Sequence, residues 1–377
     1  MRTATRYFSA PRYGDRLERK PSPRCCLVRD RGRCPRAQFP DHYPVLRGCV
    51  LPGLRRATND EHVSAIPTRM ATSSDDVGYL DRVKRLLHRW DARGVLISDA
   101  RGLAAVEKLR NPAHEKPADL ADAQWVCDMA VHPVLQQPIP SAFRVSSFAP
   151  ITAAISLGMI STKSTFATVI YHWMYQSHSA ATRYCNYADT SRPLDAKRMV
   201  NAYAASTGAA CALTLASAAL VTRAPSLRAV GMVVPHAAVA AAGVISTVMN
   251  AEVELREGVP VIDAAGAERG VSCGAARATV ERAVLLHSVI IPGCALLVPV
   301  LAMRTVVVPR LMHTTPELLW PSAAALVATG VGVLTPAAAA CVPPTVRVDT
   351  AALEPELSGL RDDDGHPLPL WSGKPLY

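Results

Sequence analysis

The chain changes character near residue 150. Up to that point apolar residues come singly, at helical spacing, among many polar ones; beyond it they come in long blocks. Five blocks stand out: about Ile151 to Trp173 with Lys163 inside it, about Val200 to Val221, Val230 to Met249, Ala283 to Met303, and Ser322 to Val342. Each is close to the ~20 residues that carry a helix across ~30 Å of hydrocarbon. Ala, Gly, Ser and Thr are frequent in them, which suits helices whose backbones approach closely in a membrane. The pattern predicts an all-α membrane protein. About five transmembrane helices fill residues 151–342, and a helical amphipathic soluble head precedes them in residues 76–150. An odd number of spans places the two ends of the chain on opposite sides.

Within the head, Val77, Leu80, Val83, Leu86 and Leu87 recur at helical spacing, with Arg82, Lys84, Arg85 and Arg89 between them. That basic face reads either as solvated or as lying on an anionic membrane surface. Ser98 or Asp99 caps a second helix that passes Leu103, Val106 and Leu109 and stops before Asn111–Pro112. A third begins near Asp119 and holds Trp125, Val126 and Met129. His132–Pro133, Pro138, Pro140 and Pro150 mark turns.

Composition supports the membrane reading: 49% of residues are hydrophobic but only 5% are aromatic, so Ala, Val and Leu supply the apolar content. Charge changes the picture at the N-terminus. Residues 1–60 hold 14 Lys and Arg against five Asp and Glu, which leaves only +1 of the net +10 for the rest. Residues 1–75 therefore predict a disordered basic extension or a mitochondrial targeting region. A translation start at Met70 would leave most of it outside the working protein. A nucleic-acid domain carries its basic stripe on a folded face, so this tail gives no nucleic-acid partner. The ten cysteines form no CxxC pair and His132 has no second ligand at metal spacing, which argues against a metal or redox centre. No P-loop, GxSxG or dinucleotide fingerprint is present. No catalytic residue and no cofactor are expected. Residues 343–377 form a polar C-terminal tail with the acidic run Asp362–Asp364.

Several short motifs occur in a fixed order. Trp173, Gln176 and Ser177 form W-x-x-Q-S, followed by Tyr184–Cys185–Asn186. Trp125 precedes His132–Pro133. Val234–Pro235–His236 opens an alanine-rich run. Glu254–Leu255, Gly258–Val259, Val261, Asp263, Gly266, Gly270, Ser272 and Ala275–Ala276 follow, then Thr335–Pro336, Leu353–Glu354–Pro355–Glu356–Leu357 and Lys374–Pro375–Leu376. Across residues 78–377 this order resembles the sideroflexin family of mitochondrial inner-membrane proteins. The chain departs from that family's pattern at several points. Val134–Leu135–Gln136–Gln137 stand where the resemblance expects Asp-Thr-Gly-Glu. Arg183 replaces an Asn before Tyr184, and Tyr187 replaces a basic residue. Asn250 replaces a basic residue after Met249, and Val289 replaces an Arg.

The resemblance implies a multi-pass carrier in the mitochondrial inner membrane, with its head toward the matrix. Its cargo would be a small neutral amino acid, serine first, feeding one-carbon metabolism. Two other readings stay open: a non-transporting scaffold or assembly factor in iron or respiratory homeostasis, and a tricarboxylate carrier. The partners expected are the amino-acid substrate and the lipid bilayer. Lys163, a charge inside an apolar block, reads as a carboxylate contact or as a side chain that snorkels to the interface. Gln176, Ser177 and Asn186 offer amides and a hydroxyl either to a zwitterion or to helix ends. Tyr171, Trp173 and Tyr175 read first as an interfacial aromatic belt and second as a pocket. Arg223 and Arg228 sit in one loop, and Arg183, Arg192, Lys197 and Arg198 in the loop expected across the membrane, so loop charge alone does not orient the protein.

Overall fold

Three short helices precede the apolar blocks, as their spacing predicts. In the computed structural model, which describes residues 78–112, 115–187, 195–224, 233–349, 353–361 and 365–373, α1 spans Tyr79–Arg89, α2 Asp99–Arg110 and α3 Pro117–Ala130. The extension 1–75 with Met70, the loop residues Arg192 and Arg228, the acidic run Asp362–Asp364 and the ending Lys374–Leu376 lie outside the described residues. Ser98 caps α2 by accepting from the Arg101 N–H at 3.3 Å. Ile97, Ala105, Val106, Ala123, Val126 and Met129 form the core between α2 and α3. Arg144, fully buried, ties the following loop to this unit. Its guanidinium donates to the carbonyls of Ile139, Gly94 and Ile97 and to Asp99.

The first apolar block is two helices, not one span. α4 covers Phe148–Ser161 and α5 covers Thr165–Cys185. Thr162 Oγ1 accepts from the Ser164 N–H, and Ser164 Oγ accepts from the Ala167 N–H, so local side-chain hydrogen bonds stop one helix and start the next. The two run antiparallel. Tyr171 closes over Gly158, where an added Cβ would clash with the ring, and Ser147 Oγ lies 3.4 Å from His178 Nε2 at the other end. Lys163 is therefore an exposed turn residue and not a charge within a helix.

α6 (Ala196–Arg223) and α7 (Val234–Asn250) form a second antiparallel pair, with Arg198 3.8 Å from Glu252 at one end. After the short α8 (Glu252–Glu257), a long helix α9 (Cys273–Leu311) and its partner α10 (Pro316–Ala339) form the third. Gly330 of α10 sits so close to the Cys294 carbonyl of α9 that a Cβ there would clash. Among the described residues α6, α9 and α10 are long and apolar enough to cross a membrane; Val145–Ser161 and α7 are apolar but shorter.

Splitting the first block reverses a consequence of the expected odd count. α4 leaves the head and α5 returns to it. α6 leaves and α7 returns; α9 leaves and α10 returns. The return ends at α1: Tyr79 OH donates to the Ala337 carbonyl at 3.0 Å and Arg82 Nε to that of Ala340 at 2.8 Å. Leu86 of α1 packs against Leu286, Ile291, Ala339 and Ala340. The amphipathic face of α1 thus covers helix ends, and both ends of the described chain lie at one end of the bundle.

The all-α expectation also misses a sheet. β1 (Val259–Ile262) and β2 (Glu268–Ser272) form a hairpin, and the C-terminal strands β3 (Arg347–Val348) and β4 (Leu370–Ser372) extend it in the antiparallel order β2-β1-β4-β3. A short helix, α11 (Pro355–Ser358), packs Leu357 on it beside Val259, Val261 and Leu370.

Candidate functional site

α5, α6 and α7 enclose a polar cavity inside this otherwise apolar bundle. Gln176 and Arg183 line it from α5, Tyr203 and Ser206 from α6, and Ser246 and Asn250 from α7. Its volume of about 30 Å³ admits a single water-sized occupant. Gln176 is only 5% exposed, and its Nε2 has no hydrogen-bond partner among the described residues. A buried amide without a partner is costly, on the order of 1–3 kcal/mol, and therefore calls for an explanation. Arg183 brings a cation to the rim, and Glu254 is close enough for its charge to act on that guanidinium. Two positions at which the chain departs from the resemblance, Arg183 and Asn250, thus meet in one cavity.

The other expected site residues go elsewhere. Ser177 Oγ lies 2.9 Å from Tyr203 OH and joins α5 to α6 at the cavity's edge. Asn186 Nδ2 donates to the Phe143 and Thr182 carbonyls, both at 2.7 Å, so its amide ties α5 to the head. Lys163 lies 13 positions before Gln176, about 20 Å along a helix axis, and takes no part in the cavity. The aromatic belt divides: Trp173 faces out, while Tyr171 and Tyr175 pack inward against Ile155, Met159, Val239 and Leu296.

The motif residues serve mainly to shape the backbone. His132 Nδ1 accepts from the N–H groups of Val134 and Leu135, which leaves the proton on Nε2 to donate to the Tyr187 carbonyl at 2.8 Å. Pro133 fixes φ inside that turn. In the hairpin, Gly258 takes φ +85° and Gly266 φ +79°, and Gly270 leaves room for Leu357. Asp263 accepts from the N–H groups of Ala265 and Ala267, both at 2.9 Å, and from Arg269 Nε at 2.7 Å. These bonds, that from Ala267 foremost, hold its carboxyl below the usual range. Ser272 caps α9, and Glu354 Oε1 accepts from the Cys273 N–H at the same helix start. Pro336 follows a π-helical stretch, Gly330–Leu334, where Thr335 Oγ1 donates to the Gly330 carbonyl at 2.8 Å.

With these motifs placed, comparison with known proteins is decisive. A family model described as "SFXNs: Sideroflexins" matches residues 72–370. The chain belongs to the sideroflexin family. Sideroflexin-5 of Rattus norvegicus is 29% identical over 293 residues, covering 74% of this chain and 85% of that protein. Sideroflexin-3 of Homo sapiens is 30% identical over 291 residues, 75% of this chain and 89% of the relative. Sideroflexin fsf1 of Schizosaccharomyces pombe is 27% identical over 311 residues, 80% and 96% respectively. No solved structure matches this sideroflexin. Tyr203, Ser206 and Ser246 were not among its expected site residues. They sit within Ala-rich helices, and only packing against Gln176 marks them out.

Proposed function

We propose that this sideroflexin carries a small neutral amino acid, serine in the first instance, across the mitochondrial inner membrane. Family membership supports a mitochondrial carrier-type role. The observation that carries the reading is the unpartnered Gln176 amide in a polar cavity bounded by helices. A zwitterion suits this lining. Its carboxylate takes the Arg183 guanidinium and the Gln176 Nε2, and its ammonium takes hydroxyl oxygens and the field of Glu254. Among the described residues one cation, Arg183, lines the cavity, too few for a tricarboxylate. No bond is made or broken; the helices alternate which end of the cavity is open. A cavity of water size does not admit serine, so the described conformation is a closed one.

α6, α7, α9 and α10 serve as the crossings in this reading, and the α4–α5 hairpin enters and leaves by one face. The crossing number is then even, and the head and the C-terminal sheet share a compartment.

Proteoliposomes of the purified protein test this directly. Saturable uptake of labelled serine, not competed by citrate, is the expected result. A folded protein that moves neither serine, another small neutral amino acid, nor citrate would overturn the carrier reading in favour of a membrane scaffold.

A further inference from the structure

At the end of the bundle away from the head, α4, α9 and α10 leave a second cleft, of about 260 Å³. Its walls are Ile160, Val300, Met303, Leu319 and Trp320, with Arg304 set among them. No carboxylate lines it, and Arg304 has no ion-pair partner among the described residues. More positive charge stands at the rim. Lys163 lies two positions past the lining residue Ser161, and Arg310 two past the lining residue Val308, so each Cα is within about 7 Å of the wall. Glu317, two positions before Leu319, is the one acid at similar reach among the described residues, which leaves the cleft and its rim together with three cations to one carboxylate. Trp320 is 62% exposed beside it, a residue type that prefers the level of lipid headgroups.

We propose that this cleft binds an anionic phospholipid. The phosphate sits on Arg304, whose planar fork matches phosphate oxygens, with Lys163 and Arg310 at the rim. One acyl chain lies along the Ile160–Val300–Met303–Leu319 wall. The apolar wall favours a lipid over free phosphate, and the unpaired cations favour an anionic headgroup over a zwitterionic one. Basic clefts between membrane helices are a recurrent setting for such lipids. Lys163, which the sequence offers as a carboxylate contact or as a snorkelling side chain, here takes a lipid role. The site uses different helix faces from the α5–α6–α7 cavity and does not rest on the transport reading.

The test uses the full chain in nanodiscs of phosphatidylcholine, with or without phosphatidylglycerol, and native mass spectrometry of the lipids it retains. Phosphatidylglycerol is expected to be retained preferentially and to raise Tm, with no effect from added inorganic phosphate. Arg304→Gln should weaken retention tenfold or more, and Lys163→Gln, in an exposed turn, several-fold. Arg277→Gln, at the opposite end of α9, should leave it unchanged. Should Arg304→Gln fail to fold, Lys163→Gln decides. Equal retention of both lipids, an unchanged profile in the lysine and arginine variants, or an equal Tm rise with free phosphate would overturn the proposal.

Discussion

The β1–β2 hairpin and the α5–α6–α7 cavity are both rich in polar side chains, yet they use them in opposite ways. In the hairpin the polar groups turn back onto the protein's own backbone: Asp263 holds Ala265, Ala267 and Arg269, Ser272 caps α9, and Glu354 covers the Cys273 N–H. In the cavity Gln176 Nε2 has no partner among the described residues. Among the described residues Ser146, His172, Thr207, His236, Ser288 and Glu354 also carry a buried atom without a partner, and none of them lines this cavity. The first region carries the longest recognisable motif and the second carries two of the departures from it. Motif density here marks a scaffold; among the described residues both regions hold a buried polar atom without a partner, Glu354 Oε2 in the first and Gln176 Nε2 in the second, and Gln176 is the one of the two that lines the cavity.

The strongest way to break this contrast is Gly258→Ala. With φ at +85° and ψ near 175°, the backbone there is open essentially to glycine alone, at a cost of ~1–3 kcal/mol for any other residue. A Cβ would also lie 2.7 Å from Val271 Cγ1 and 2.9 Å from the Ser272 backbone carbon. Together these should cost about 3 kcal/mol or more, read as a large drop in Tm of the purified protein. Uptake should fall only as far as the folded fraction does. An unchanged Tm would show that the hairpin is not a scaffold.

Gln176→Leu is the counterpart in the cavity. It removes an amide that has no partner to lose, so Tm should stay within about 1 kcal/mol of the parent. Serine uptake should fall tenfold or more, about 1.4 kcal/mol of lost binding or transport. Parallel losses of Tm and uptake would mean that Gln176 is one more structural group.

Acid should separate the regions further. The Ala267 N–H and Arg269 hold Asp263 below its ordinary pKa. For Glu354 burial pulls upward, but hydrogen bonds from Ser272 and the Cys273 N–H outweigh it and the net shift is also down. A carboxyl whose folded pKa lies below its unfolded value contributes stability above about pH 4, and that contribution is lost as pH falls through the folded pKa. Tm should therefore decline in acid below about pH 4, and Asp263→Asn should flatten that decline while lowering Tm at neutral pH. An Asp263→Asn protein with the parent's acid profile would remove the carboxylate from this account.

Much of the helical framework was legible. Ser98 capped α2 as its position implied, and the later apolar blocks became α6, α7, α9 and α10, because a long apolar run has few alternatives to a buried or lipid-facing helix. What hydropathy does not encode is direction. Thr162, Lys163 and Ser164 reverse the chain through capping bonds, without Gly or Pro, so the count from Ile151 to Trp173 ran straight through the turn. β3 and β4, of two and three residues, lie below the length at which alternation is readable, and β1 and β2, of four and five, stand at its lower limit. In the cavity, Gln176 and Asn250 lie 74 positions apart, and nothing local in either helix announces that they share a space. Asn186 reads from the sequence as a ligand contact or a helix-end group; its bond to the Phe143 carbonyl shows the amide already engaged, as the Tyr187 carbonyl engages His132.

Gln136 gives the smallest effect and the finest test of the comparison, because it departs from the family pattern within scaffold. Its φ of +53° is the left-handed conformation, where glycine, the residue the resemblance expects, carries no penalty. The cost to a non-glycine residue is ~1–2 kcal/mol. Against that, Arg110 donates to the Gln136 carboxamide oxygen, 3.1 Å from Nε, a charge-assisted bond of ~1.5–3 kcal/mol at its strongest and less where the arginine stays exposed. The two terms nearly cancel, so Gln136→Gly should change stability by less than about 1 kcal/mol and leave uptake intact. Combining it with Arg110→Ala separates them: in the Arg110→Ala background glycine should stabilise by the full conformational term. Where a scaffold departs from its family, then, the change is offset by a neighbour in contact. If glycine destabilises in both backgrounds, Gln136 has a role beyond its bond to Arg110, and the line between the scaffold and the cavity is less sharp than their hydrogen bonds suggest.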